Sequence, residues 1–267
     1  MKKSGRHKRA GRRRRVGRSL ATIAAGLSIG VGGAGAASKA TSRPAKTTPA
    51  GSPVRLSRAA WPSVAGIMPA PRVLDLALSA ASCAINAGLV AAPKTLTVID
   101  YSRPSTERRL WVLDLATGDT LFHELVAHGS GSGDALASSF SNDPDSHQSS
   151  LGLFRTADTY VGRNGYSLRL DGLEKGFNDR ARERAIVVHG APYVSDAVAK
   201  AQGRIGRSWG CPALGESVAR EVIDSIKGGD LVFAYYPDQA WMNGSPLLGS
   251  CDLPATVSAR AAADADE

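Results

Sequence analysis

The chain has 267 residues, is 43% apolar and carries a formal net charge of +9. Ten of its lysines and arginines crowd into residues 1–18. The remainder is therefore close to neutral, which argues against a nucleic-acid-binding body, whose basic charge would line a folded face; no Cys/His spacing matches a zinc site, and neither a metal nor a cofactor is expected.

In chain order, the basic leader precedes an uncharged run of small and apolar residues, 20–37, that ends in Ala34-Gly35-Ala36. A basic start, a short apolar stretch and an A-x-A site read as a secretory signal over residues 1–37. A nucleic-acid tail and an uncleaved anchor are the alternatives. Arg14-Arg15 leaves the twin-arginine route open beside the general one. The run is glycine-rich and weak for a membrane span. Residues 38–60, rich in Ser, Thr, Pro and Ala, read as a linker. Leu74, Leu78, Ala81 and Ile85 predict a packing helix over about 72–89, inside a helical segment 61–92.

A catalytic domain is expected over 93–238, with 239–267 as a C-terminal extension. Residues 96–101 read as a strand. So do 109–115 and 121–127, joined at the Thr117-Gly118-Asp119 turn. Residues 129–145 form a long polar loop. Further strands are expected over 151–156, 166–170 and 230–236. Many short strands and few helices predict a mainly β fold, a sandwich or barrel preceded by the packing helix.

The chemistry concentrates between 185 and 214. Ile186-Val187-Val188 reads as a buried strand ending on His189-Gly190. Gly206-Arg207-Ser208-Trp209-Gly210-Cys211-Pro212 reads as a tight loop, and 216–226 as a helix. Cys211 is thus expected just ahead of a helix N-terminus, where partial positive charge favours a thiolate. A nucleophilic thiol and an imidazole able to take its proton are the minimum for acyl transfer. Backbone N–H groups of Gly210, Cys211 and Trp209 are the candidate oxyanion donors. Residues 206–210 also fit G-x-S-x-G, but no histidine follows Ser208, as a serine-hydrolase elbow requires. Papain-like enzymes place Cys before His, which fails as well.

His189-Gly190 followed by Ser208-x-Gly210-Cys211 resembles the murein L,D-transpeptidase catalytic domain (YkuD-like). Trp209 stands where the usual motif has a second histidine, and Pro212-Ala213-Leu214 replaces an Arg-containing tail. Those departures mark a divergent branch carrying G-R-S-x-G-C-P-A. The segments 128–133, 140–142, 149–152 and 167–173 look like the same branch, so the resemblance covers roughly 95 to 236. It implies a Cys211 nucleophile, a His189 base and the Gly190 backbone carbonyl as the group that orients the imidazole. It also implies a peptidoglycan stem tetrapeptide as substrate, resolved by a neighbouring amine as a 3→3 crosslink or by water. Ser208, Arg207, Tyr193, His128, Ser150 and Gly152 are the candidate substrate contacts. His128 is expected to shape the cleft without a catalytic role.

In an exported protein, three cysteines suggest one pair plus a reactive thiol. Pairing Cys83 with Cys251 would spare Cys211; three unlinked buried thiols are the alternative. An exported, monomeric enzyme of periplasm or cell wall is expected, touching membrane only through its signal. An L,D-carboxypeptidase, a sortase-like transpeptidase and a non-catalytic wall-binding module stand as alternatives.

Overall fold

The computed structural model describes residues 53–61, 67–249 and 251. The expected signal peptide, most of the linker and residues 252–267 of the expected C-terminal extension lie outside the described residues.

Helix α1 (Pro71–Asn86) starts with proline in its first turn, where the missing N–H costs nothing. Val73, Leu74, Ala77, Leu78, Ala81 and Ala84 recur at helical spacing and are buried. That face lies on strands β1 (Thr95–Asp100), β4 (Gly152–Gly162) and β8 (Leu231–Tyr235). β1 is buried at every position. It pairs antiparallel with β2 (Leu110–Asp114) and parallel with β8, so it is interior along both edges. Helix α3 (Glu216–Ile226) also packs on it, burying Ala219, Val222, Ile223 and Ile226.

The remaining strands are β3 (Thr120–Glu124), β5 (Gly165–Gly172), β6 (Val187–Ala191) and β7 (Ala213–Gly215). All eight join one mixed sheet in the order β3-β2-β1-β8-β4-β5-β6-β7. Beyond β3 the chain bends to the far edge: Ala127 bridges Ala213, and Gly129 bridges Ser208. The sheet is therefore nearly closed, and the mainly β expectation holds. Those bridges matter most for function, because they hold the 206–212 loop against residues 127–130.

Three elements go beyond the sequence reading. β7 has only three residues. Helix α2 (Asp196–Gln202) is capped by the Ser195 hydroxyl and closed by left-handed Gly203. Helix α4 (Gln239–Gly244) falls after the expected domain boundary at 238, yet its Trp241 is buried and donates its indole N–H to Glu174 Oε2 at 2.9 Å. Cys83 and Cys251 are joined by a disulfide, which ties α1 to the C-terminal segment.

Candidate active site

His189 sits in β6 between β5 and β7, opposite Ser167 on one side and Ala213 on the other. Its Nδ1 lies 2.9 Å from the Gly190 carbonyl oxygen. A carbonyl can only accept, so Nδ1 carries the proton and Nε2 keeps its lone pair. Burial pushes the His189 pKa down, and the Gly190 carbonyl opposes that in part. The resting ring is a neutral imidazole with a basic Nε2.

Cys211 is the free cysteine among the described residues. Its Sγ accepts the Val187 N–H at 3.4 Å and lies 3.7 Å from the Ala185 carbonyl, to which the thiol donates. Parallel pairing of β6 with β7 sets His189 opposite Ala213. Cys211, two residues earlier, thus falls beside Val187, roughly 7 Å of strand from His189. The two side chains are 8% and 5% exposed and share no hydrogen bond.

The expected helix N-terminus does not reach the sulfur by sequence adjacency. α3 begins at Glu216, and β7 occupies the residues between. Burial instead raises the thiol pKa, opposed by the Val187 N–H and by the charge of Arg184. Arg184 is held by the Ser141 and Gln148 carbonyls and the Ser146 and Ser150 hydroxyls at 2.6–3.2 Å. With the thiol raised and the imidazole lowered, the resting state is a neutral thiol and a neutral imidazole on one strand, not an ion pair.

The loop's own bonds correct the oxyanion assignment. Gly210 N–H is spent on the Ser208 hydroxyl at 3.1 Å. Ser208 Oγ in turn donates to the Cys211 carbonyl at 2.6 Å. Among the described residues the N–H groups of Cys211 and Trp209 have no protein acceptor, so they remain candidate donors. Gly210 has φ +114°, and a Cβ there would stand 2.7 Å from the Gln148 carbonyl oxygen. Glycine is required by both conformation and closeness.

Several expected substrate contacts prove to be internal. His128 is fully buried; Arg109 donates to its Nδ1 at 2.7 Å, leaving Nε2–H to the Gly133 carbonyl. Burial and the Arg109 charge push its pKa down to about 4. Ser150 is buried and spends its hydroxyl on the Ser141 carbonyl while accepting from Arg184. Gly152 faces the core, where a Cβ would meet Glu174 Oε1 at 2.6 Å. Ser208 is buried and closes its own loop. Arg207 is bound to the Gly133 carbonyl and to Asp134 at 2.8 and 2.9 Å.

Tyr193 packs against Gly206 and is half-buried; burial, with the nearby Cys211, drives its pKa up to about 12. Trp209 is 66% exposed and stacks on His147 at 4.9 Å between ring centroids. Arg184, Ser149 and His147 are the neighbours the sequence reading missed. A polar loop gives no local sign of which of its members turn inward. Among the described residues, no cluster of His, Cys, Asp and Glu could hold a metal ion.

A mainly β sheet, nearly closed, with a cysteine loop docked beside a strand-borne histidine defines the class of protein. Residues 69–235 match the family model described as L,D-transpeptidase catalytic domain (YkuD_2), and the chain belongs to that family. No curated protein matches it. Among solved structures it is similar to an L,D-transpeptidase from Mycobacterium smegmatis, at 16% identity and TM-score 0.34, over 54% of this chain and 59% of that one. It is also similar to an L,D-transpeptidase from Stackebrandtia nassauensis, at 15% identity and TM-score 0.34, over 61% and 67%. A third, from Xylanimonas cellulosilytica, gives 17% identity and TM-score 0.32 over 54% and 62%. The chain spans about three fifths of the length of the first structures it matches.

Proposed function

We propose that the protein is an exported cysteine L,D-transpeptidase acting on peptidoglycan stem tetrapeptides. One observation carries the reading: the Gly190 carbonyl fixes the His189 tautomer, leaving Nε2 as a base on the strand whose Val187 N–H holds the Cys211 sulfur. Family membership supports the same chemistry.

In this reading Cys211 Sγ attacks the carbonyl carbon between the third residue and terminal D-alanine. His189 Nε2 takes the thiol proton as the S–C bond forms. The carbonyl π electrons move to oxygen, and the Cys211 N–H, with Trp209 N–H, receives that charge. Collapse breaks the C–N bond, and the imidazolium returns its proton to the departing D-alanine amine. The thioester is then opened by the side-chain amine of a neighbouring stem, giving a 3→3 crosslink, or by water. Trp209 and Tyr193 line the approach. The catalytic unit spans residues 69–235, and residues 1–37 direct export.

The test incubates the mature chain with defined tetrapeptides and reads products by mass. Crosslinked dimer with loss of D-alanine is expected, and tripeptide alone would make it a carboxypeptidase. Identical products from the Cys211→Ala variant would contradict both.

A further inference from the structure

Ser149 is buried at the inner end of the polar loop and was not among the expected site residues. Its hydroxyl donates to the Gly210 carbonyl at 3.1 Å and accepts the Gly129 N–H at 3.0 Å. A carbonyl can only accept, so the serine proton belongs to Gly210. The serine's backbone is held too: its N–H donates to the Ser132 hydroxyl and its carbonyl accepts the Ser141 N–H.

The consequence lies in one peptide plane. In a trans peptide the C=O and the following N–H point in opposite directions. Holding the Gly210 oxygen therefore aims the Cys211 N–H the other way, and that N–H has no protein acceptor among the described residues. Gly210 lacks a Cβ, so nothing in its own chemistry stops the plane from turning. Ser208 holds the peptide on the other side of Cys211.

We propose that Ser149 is a positioning residue for acyl transfer: its hydroxyl keeps the Cys211 N–H aimed at the developing oxyanion. This rests on the transpeptidase reading above. It predicts a selective defect, because acylation builds an oxyanion whereas alkylation by iodoacetamide, in which sulfur displaces iodide, does not.

The experiment measures both rates, at one pH, in the full mature protein. A defined stem tetrapeptide serves as the acyl donor. Ser149→Ala is expected to lose about 10- to 100-fold in acylation, less than or equal to the loss of a whole oxyanion donor. Alkylation should stay within about twofold, and Ser149→Thr should recover part of the acylation. Asn142→Ala, whose side chain bonds Asp179 and the Arg180 N–H but neither Ser149 nor Gly210, should leave the ratio of the two rates unchanged. Where the alanine variant does not fold, Ser149→Gly and Ser149→Cys are read by the same ratio. An unchanged ratio in any folded hydroxyl-lacking variant overturns the proposal. A wild-type protein that is alkylated but never acylated would overturn the transpeptidase reading itself.

Discussion

The Gly190 carbonyl oxygen stands 2.9 Å from His189 Nδ1, and the two residues are neighbours in one strand. A base is thus oriented by the backbone that carries it, with no carboxylate required. Removing the imidazole should remove the proton acceptor and leave the frame. His189→Ala is expected to lower kcat/KM about 10²- to 10⁴-fold with the circular dichroism spectrum unchanged. Activity within threefold of wild type would rule out His189 as the base.

The neutral pair sets the pH behaviour. Burial lowers the His189 pKa and raises that of Cys211. The base is therefore neutral down to below pH 6.5, and the acid limb of kcat/KM should lie below that value. Iodoacetamide alkylation of Cys211 should rise only above the ordinary thiol range, because burial holds the proton on sulfur. A thiol that titrates near pH 7 would reveal an ion pair instead.

His128 should govern acid stability. Its pKa falls from 6.5 to about 4 on folding. A depressed histidine stabilises the fold while neutral, so its contribution is complete above pH 6.5 and fades as pH drops through 4. The difference corresponds to about 3 kcal/mol. Glu174, whose pKa burial raises, has the opposite sign: its contribution is complete below its ordinary value and is lost as pH rises. Urea titrations from pH 7 to 4 should show a shallower loss in His128→Gln than in wild type. Parallel curves would remove His128 from the account.

The disulfide closes a span of 168 residues between Cys83 and Cys251. Replacing both with serine should cost roughly 2–5 kcal/mol of stability. The oxidised wild type, unfolded in denaturant, should then yield a single alkylatable thiol, at Cys211. Three thiols by mass would contradict the pairing.

Gly210→Ala should cost activity more than stability. The new methyl meets the Gln148 carbonyl, and the positive φ is unfavourable for alanine by about 1–2 kcal/mol. Both strains fall on the peptide that aims the Cys211 N–H. A folded variant with unchanged acylation rate would show that the geometry of this loop does not matter.

What could be read from the chain is what local periodicity writes down. The apolar run ending on His189, the amphipathic pattern of 216–226 and the turn at Gly118 lie within single elements, and their positions agree with the structure. β7 could not be read, because three residues carry no period and its partners lie far away in sequence. The contacts of Ser149 and Arg184 could not be read for a related reason: their bonds to Gly210 and to the 141–150 loop cross tens of residues. Gly152 and Ser150 were misread as substrate contacts. Small residues near a site serve equally to admit a ligand or to admit a neighbouring side chain, here Glu174 and Arg184.

In the proposed reaction Cys211 carries the acyl group as a thioester. Rapid acid quench of the protein mixed with a stem tetrapeptide, followed by peptide mapping, addresses it directly. A thioester of the tripeptide on the Cys211 peptide, formed with release of one D-alanine and absent from Cys211→Ala, is the predicted result. Turnover without that adduct, or an adduct on any other residue, would contradict the account.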